Sequence, residues 1–220
     1  MSKTVLHYLD GRGRAEKIRW MLAACGIDYD ENFSHGKEDF QKRVDDGLFL
    51  FKQIPMLEID GIKIVQTGAI LRYLGHKGKL MGDNPKEGAM IDMYTDGLID
   101  MSVPGMIYIF QPKDEIDAFW TTNKEKLNNK YFQVFEKILE TNQSTFLVGN
   151  RQSMADIILI ETLVNYIDIE QDILANYPNL TAFMKQQGTI PWVSKFMQPG
   201  SKRKPFPGAK YAATVQEIFF

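Results

Sequence analysis

The sequence contains a single cysteine, Cys25, among its 220 residues. No disulfide can form within the chain, which excludes a disulfide-stabilised secreted scaffold and fits a reducing compartment. The N-terminus has no apolar signal run, and the longest apolar runs fall far short of the roughly 20 residues that a membrane helix requires. We therefore expect a cytoplasmic protein with no stable membrane insertion.

A strong net charge is also lacking. The chain carries 26 Lys and Arg against 28 Asp and Glu, a formal charge of -2, and its pI is about 6.0. Neither value favours a nucleic-acid partner. The one basic cluster, residues 202–204, is more typical of a solvated turn than of a targeting signal. His7, His35 and His76 are scattered along the chain, so we predict no metal site.

Hydrophobic residues make up 44% of the chain, which is enough for a packed core, and the first third mixes strand and helix patterns. Residues 4–8 are rich in β-formers. The spacing of apolar residues over 14–24 is helical, and Gly26 follows as a C-cap. Residues 27–29 continue into a second strand, and 37–46 form a polar helix or an irregular segment.

A hairpin and a helix complete this region. Residues 53–59 are a turn that leads into a strand, 60–61 are a hairpin signal, and 62–65 are the partner strand. Thr67 can cap the following helix, 68–76. The element order β-α-β-α-β-β-α predicts a small mixed sheet with helices packed on it.

Strand signals vanish after residue 85, and helical periodicity takes over. Pro104 should kink the first long helix without ending it, because apolar spacing resumes beyond it. Residues 153–156 form a capping box before an almost wholly apolar helix, which we expect to be buried in the middle of a bundle. Further helices are predicted over 120–139, 178–187, 191–197 and 209–219.

The segment from Tyr8 to Arg14 is a strand, a turn and a helix. Two glycines of a dinucleotide-binding loop are present at positions 11 and 13, but Glu16 stands where the third is required. Tyr8 lies at the end of its strand, where side chains often face ligands. Arg14 opens a helix, where a cation opposes the macrodipole and can serve an anion instead. The sequence also contains no CxxC pair, which excludes a dithiol redox centre.

Two further features point to a ligand that is short, extended and anionic. Ile54–Pro55 precedes a strand. The trans form is the default for an X–Pro bond, whereas a cis bond here would leave the neighbouring backbone groups free to pair with an extended peptide. Gln66 and Thr67 lie at a helix N-terminus, where a hydroxyl and backbone amides can bind a carboxylate. The structural alternatives are ordinary: a packing tyrosine, a turn proline and a helix cap.

Together these residues resemble the glutathione site of cytosolic glutathione transferases, and later segments are similar to the alpha class in particular. The resemblance covers essentially the whole chain. In the first part it is carried by His7-Tyr8, Gly11-Arg12-Gly13-Arg14, Arg19-Trp20, Gln53-Ile54-Pro55-Met56 and Val65-Gln66-Thr67. In the second part it is carried by Ile91-Asp92-Met93-Tyr94, Tyr131-Phe132, Leu147-Val148-Gly149-Asn150, Ala155-Asp156, the run from Phe196 to Pro205 and the tail ending Ile218-Phe219.

The resemblance implies an α+β thioredoxin-like domain over residues 1–82, which binds glutathione. It also implies an all-α helical-bundle domain over 83–220, with an electrophile pocket and a C-terminal lid helix. The expected activity is conjugation of the glutathione thiolate to apolar electrophiles, a detoxification reaction, with reduction of organic hydroperoxides as a second activity. Glutathione is the co-substrate, no metal is expected, and the partner is a second copy of the chain in a homodimer.

The resemblance also implies the role of each site residue. Tyr8 would donate its hydroxyl hydrogen bond to the glutathione sulfur, Arg14 would add positive charge, and Phe51 would be the aromatic key of the dimer. Glutathione itself would be bound by Gln53, Ile54, Pro55, Gln66, Thr67 and, from the partner subunit, Asp100 with Lys130 beside it. The electrophile pocket would be lined by Leu9, Gly11, Met106, Ile107, Phe110, Val215 and Phe219.

This chain departs from the alpha pattern at two places. Where that class carries a basic residue for the glycine carboxylate of glutathione, this sequence has Val44, and Arg43 is the adjacent candidate. The tail also ends about one aromatic early, which leaves Phe219 and Phe220 to close the pocket.

Two alternatives stay open at this point. One is a glutathione-dependent prostaglandin isomerase similar to the sigma class, which the tail and the run from Gln198 to Ser201 disfavour. The other is a non-catalytic binder of apolar ligands, or a structural protein on the same fold. The presence of Tyr8, Arg14, Gln66 and Thr67 favours catalysis.

Overall fold

The computed structural model describes residues 3–142 and 145–220. The chain divides into two compact units. The first runs to Gly78 and includes Lys202–Phe220, and the second is Lys79–Ser201.

The first unit contains a four-stranded sheet in the order β2-β1-β3-β4, formed by Val5–Tyr8, Asp30–Phe33, Met56–Ile59 and Ile62–Val65 as β1 to β4. β1 and β2 are parallel, with Tyr8 opposite Phe33. β3 is antiparallel to both β1 and β4, and the register sets His7 and Val65 on either side of Met56. The predicted mixed sheet is therefore confirmed.

The helices of this unit are α1 (Glu16–Ala24), α2 (Lys37–Asp45), α3 (Thr67–Lys77) and, from the tail, the helix Ala209–Phe219. A 3₁₀ turn, Gly13–Ala15, precedes α1. Gly26 ends α1 in the left-handed region with φ 63°, as a C-cap glycine does. The second strand begins at Asp30 and not at 27–29, because the Ile27 amide is still bonded to the Leu22 carbonyl of α1 and pairing with β1 starts at Asp30.

The second unit is helical. Its helices are α4 (Pro85–Met101), α5 (Val103–Ile107), α6 (Ile116–Leu127), α7 (Gln133–Asn142), α8 (Met154–Ile169), α9 (Pro178–Gln187) and α10 (Pro191–Met197), so that the tail helix Ala209–Phe219 is α11. A 3₁₀ turn follows α5 at Tyr108–Phe110.

Two predicted long helices are interrupted. The helix expected to kink at Pro104 ends at Met101 and restarts as α5, because proline cannot donate the amide hydrogen bond that would continue the ladder. The helix expected over 120–139 is divided by a π-helical turn, Asn128–Phe132, in which the hydrogen bonds span one residue more.

The apolar helix is where the sequence indicates it. In α8, every residue from Met154 to Val164 is buried, as expected for a helix that is apolar on all sides. Ser153 and Asp156 form the predicted capping box: Asp156 accepts hydrogen bonds from the Ser153 amide at 2.8 Å and the Ser153 hydroxyl at 2.6 Å. Asp156 also accepts the amide of Leu147 at 2.7 Å, which attaches the preceding loop to the helix start.

Candidate functional site

Three of the predicted site residues lie at one end of the sheet. Tyr8 is the last residue of β1, Pro55 immediately precedes β3, and Gln66 immediately follows β4. The pairing of His7 with Met56, and of Met56 with Val65, places the three as neighbours. The register of the sheet therefore assembles residues that are far apart in the sequence.

Tyr8 is buried, and its hydroxyl oxygen accepts a hydrogen bond from the backbone amide of Arg14 at 2.9 Å. That amide lies in the 3₁₀ turn before α1. The side chain of Arg14 is exposed. Arg14 thus orients Tyr8 through its main chain and leaves its guanidinium for another role.

The turn between β1 and α1 contains two glycines, and a side chain at either position would collide with that of a neighbouring tyrosine. A Cβ on Gly11 would lie 2.2 Å from the ring of Tyr211, and a Cβ on Gly13 would lie 2.3 Å from the hydroxyl oxygens of both Tyr211 and Tyr8. Gly13 also has φ 41°, which disfavours other residues. The two glycines allow the Tyr211 ring to lie directly on the turn, with its hydroxyl at Tyr8.

A buried ion cluster supports the same turn. Arg19 is fully buried and donates to the carbonyl of Gly11 at 2.8 Å, to Glu16 at 2.9 Å and to Glu31 at 2.7 Å. Such a charge is tolerated in the interior only when it is paired and hydrogen-bonded. Through the bond to the Gly11 carbonyl, the cluster holds the turn in place.

Residues 202–208, which we call the strap, lead to α11 and contact this ion cluster. Lys204 pairs with Asp10 at 2.8 Å and with Glu31 at 3.0 Å. Its carbonyl accepts the side chain of Arg12 at 2.8 Å, and its amide donates to Glu16 at 3.3 Å. These contacts hold the start of the tail beside the Tyr8 turn.

The predicted peptide-binding segment differs in two features from the arrangement that the sequence favours. The Ile54–Pro55 bond is cis, contrary to the trans default. Thr67 is the first residue of α3 and not its cap, since Gln66 occupies the N-cap position with φ 71° and ψ 116°. The side chain of Gln66 donates to that of Gln53 at 3.3 Å, so the structure brings these two residues together.

Arg43 is bonded within the first unit through all three guanidinium nitrogens. Nε donates to Asp39 at 3.0 Å, and the other two nitrogens donate to the Asn32 side chain at 2.7 Å and the Phe33 carbonyl at 3.0 Å. Val44 is buried. Three of its five N–H donors are therefore used within the first unit, which favours a structural role for Arg43 over the predicted substitution for the missing basic residue.

Two predicted residues lie in the second unit. Asp100 in α4 and Lys130 in the π-helical turn are both exposed. The Lys130 ammonium lies 4.9 Å from the centre of the Tyr131 ring. A hydrogen bond with Tyr131 and then the charge of Asp100 raise the pKa of Lys130, so the two predicted residues lie within electrostatic reach of one another.

The apolar residues predicted for the electrophile pocket differ in exposure. In the first unit Leu9 is almost fully buried and Val215 is half-buried, whereas Phe219 is 43% exposed. In the second unit Met106 and Phe110 are half-buried, and Ile107 is 39% exposed.

Phe51, the predicted dimer key, lies in the loop before β3 and is 57% exposed. Its neighbour Leu50 is 75% exposed. The two side chains form a small exposed apolar patch on this loop.

Tyr211 is the residue of this site that sequence analysis missed. The sequence predicts a helix over 209–219 in which Tyr211 is one of the few anchoring residues, but no local pattern relates position 211 to position 8. The nearest signal is the pair of glycines at 11 and 13, which requires something to lie close to the turn.

Among residues 3–142 and 145–220, no cluster of His, Cys, Asp and Glu could hold a metal ion. Over the same ranges, no helix has both the length and the apolarity needed to cross a membrane.

Comparisons with known proteins agree on one family. Residues 4–76 match the N-terminal domain model of glutathione S-transferases, and residues 99–200 match a C-terminal domain model of the same family. The chain is 45% identical to mouse glutathione S-transferase A3 over 217 residues, which is 99% of this chain and 98% of the relative. It is 46% identical to pig glutathione S-transferase alpha M14 over the same shares.

A solved structure of prostaglandin synthase D from Nilaparvata lugens is also similar, with a TM-score of 0.76. It is 26% identical and covers 93% of this chain and 100% of its own. The sequence relatives named as alpha transferases are much more similar in sequence.

Proposed function

The chain belongs to the glutathione S-transferase family, with relatives in the alpha class, and we propose that Tyr8 is the residue that activates the thiol of its co-substrate, glutathione. One observation supports this proposal above the others. The hydroxyl of Tyr8 is held at the carboxyl end of β1 by the Arg14 amide, beside the residues that would bind an extended peptide.

The chemical requirement is a thiolate. A thiol with a pKa of about 8.5 is mostly protonated at pH 7, and the thiolate is the nucleophile. Lowering that pKa by two units takes about 2.7 kcal/mol of differential stabilisation. A hydrogen bond from Tyr8 to the charged sulfur supplies part of this, and the exposed guanidinium of Arg14 adds positive charge nearby. The activated sulfur then attacks the apolar electrophile.

Glutathione would be bound along the sheet end. The main chain at Ile54 and Pro55 pairs with its backbone. Gln66 and Thr67 hold the γ-glutamyl carboxylate at the start of α3, where the helix dipole favours an anion, and the contact with Gln53 steadies Gln66. Asp100 and Lys130 of a partner subunit would face the γ-glutamyl group.

We assign residues 1–82 to glutathione binding and 83–220 to the helical part of the chain, whose last helix, α11, belongs to the first compact unit and serves as a lid. The apolar residues Leu9, Gly11, Val215 and Phe219 in the first unit and Met106, Ile107 and Phe110 in the second would contact the electrophile. Hydroperoxide reduction would use the same thiolate. Truncation before Ala209 should raise KM for apolar electrophiles more than it lowers Tm.

The protein would act as a cytoplasmic homodimer in detoxification. Phe51 is the proposed contact with the second copy, since an exposed aromatic can anchor in a partner's pocket. The single cysteine forms no disulfide, which is consistent with a reducing compartment, and burial raises the pKa of its thiol to about 11.

Tyr8→Phe tests the assignment, because it removes only the hydroxyl. We expect the variant to fold, to bind glutathione with similar affinity and to lose most conjugation. The ultraviolet absorbance of the bound thiolate should titrate at a higher pH than in the parent. If the absorbance titrates as in the parent, the role assigned to Tyr8 is wrong.

Turnover of a panel of substrates by the purified protein distinguishes the remaining activities. An aryl halide, an organic hydroperoxide and a prostaglandin endoperoxide would be offered with glutathione. We expect turnover of the first two. Turnover of the endoperoxide alone would instead support the prostaglandin isomerase, which the greater sequence similarity to alpha transferases does not favour.

A further inference from the structure

The tail helix α11 brings a second phenol to Tyr8. The hydroxyl oxygens of Tyr8 and Tyr211 both lie 2.3 Å from the point where Gly13 would carry a Cβ, so the two hydroxyls are adjacent. Only glycine at positions 11 and 13 permits this approach. The contact is therefore specific to these residues, because the two glycines leave the space that the Tyr211 side chain occupies.

The position of Tyr211 is fixed at both ends of α11. Before the helix, the strap at Lys204 is attached to Asp10 and Glu31. Near its end, Phe219 packs edge-to-face on Phe40 in α2 with 5.3 Å between ring centres, and Glu217 accepts the amide of Lys37 at 3.3 Å. With both ends anchored, the Tyr211 hydroxyl lies at a defined place.

The direction of a hydrogen bond between the two phenols follows from the role proposed for Tyr8. If Tyr8 donates its proton to the glutathione sulfur, its oxygen can only accept from the neighbouring hydroxyl, so Tyr211 is the donor. Burial raises the pKa of Tyr211, and the Tyr8 side chain raises it further, so Tyr211 keeps the proton that it would donate.

The Tyr8 oxygen accepts a hydrogen bond from the Arg14 amide, and in this arrangement it accepts a second from the adjacent Tyr211 hydroxyl. With its acceptor positions filled, the proton of Tyr8 is the part of the hydroxyl left to donate. Donors aimed at a phenol oxygen polarise its O–H group and strengthen the bond it donates in turn. That bond is the one assigned to the glutathione sulfur.

We propose that Tyr211 is a positioning residue that polarises Tyr8, so that the tail helix contributes to the acidity of the bound glutathione thiol as well as covering the site. The inference rests on the proposed role of Tyr8. It assigns to α11 a part in thiol activation that depends on one hydroxyl group.

Tyr211→Phe removes that hydroxyl and keeps the ring on Gly11. We expect the apparent pKa of the bound glutathione thiol to rise by about 0.5 to 1 unit, with kcat/KM at neutral pH falling about threefold to tenfold. The loss should disappear at a pH above the new thiol pKa, and KM for glutathione should hardly change. Tyr73→Phe is the matched control, because it also loses a hydroxyl hydrogen bond in the first unit, to Asp60, and should titrate like the parent.

The double variant with Tyr8→Phe separates this inference from the proposed function. If Tyr211 acts through Tyr8, its removal should have no further effect on the thiol pKa when the Tyr8 hydroxyl is already gone. A Tyr211→Phe variant that titrates like the parent would overturn the inference while leaving a shift in Tyr8→Phe to support Tyr8. A gain in neutral-pH kcat/KM, or an equal loss in both backgrounds, would also overturn it. An unshifted Tyr8→Phe would overturn both.

Discussion

The backbone amide of Arg14 donates a hydrogen bond to the hydroxyl of Tyr8 at 2.9 Å, while the Arg14 side chain is exposed. The two parts of one residue therefore have separable roles. The main chain orients the phenol, and the side chain carries a charge that a substitution can remove without breaking the bond to Tyr8.

Arg14→Ala should raise the apparent pKa of the bound glutathione thiol, because a nearby cation favours the thiolate. We expect a shift of about half a unit that shrinks as salt is added, since exposed charges are screened. Thiolate absorbance against pH at two ionic strengths measures this. Arg14→Lys should restore most of the shift, and an Arg14→Ala titration that overlays the parent's would remove the side chain from thiol activation.

Arg43→Ala should lower stability and leave KM for glutathione nearly unchanged, because its donors already bind Asp39, Asn32 and Phe33. The expected loss is about 1 kcal/mol, or a few degrees in Tm. Lys42→Ala, the loss of a neighbouring exposed cation, is the control and should change neither quantity. A several-fold rise in KM for Arg43→Ala with unchanged Tm would instead place Arg43 at the glycine carboxylate.

Asp156 should make the protein less stable as the pH rises. Burial raises its pKa from 3.8 to about 6, despite the hydrogen bonds from Ser153 and Leu147 that act in the opposite direction. A raised pKa means that the contribution is complete below about pH 4 and is lost as the pH rises through 6, with a size on the order of 3 kcal/mol.

Urea unfolding of the parent and Asp156→Asn across this window measures the effect as a difference between the two proteins. The comparison is needed because His7, whose pKa is lowered chiefly by burial, gives a slope of the opposite sign. The advantage of the parent over the variant should shrink from pH 4 to pH 6.5. An advantage that grows with pH would show that Asp156 is bound as the carboxylate.

Phe51→Ser should weaken the homodimer, because an aromatic anchor can carry about 2 kcal/mol of association, or about thirtyfold in Kd. Leu50→Ser is the matched control: it removes an adjacent apolar side chain that is even more exposed. Sedimentation over a dilution series should show dissociation at higher concentration for Phe51→Ser alone. Equal behaviour of both variants and the parent would rule out the key.

The sequence alone determined the order of elements in the first unit and the start of α8. Those features depend on local physics: alternating and helical apolar spacing, the hairpin signal at 60–61, and the capping box of Ser153 and Asp156. The family resemblance also predicts roles for Tyr8, Arg14, Gln66 and Thr67, because its motifs are short and lie within single turns.

Only the tertiary structure decided what those residues contact. From the sequence, Arg43 is a candidate for binding a ligand. In the structure α2 lies beside β2, and the guanidinium of Arg43 binds Asn32 and Phe33. Tyr211 met Tyr8 because the strap at Lys204 and the contact of Phe219 with Phe40 return the tail to the first unit. Contacts between distant segments depend on how whole elements pack, and the pattern of residues within one element does not predict that packing.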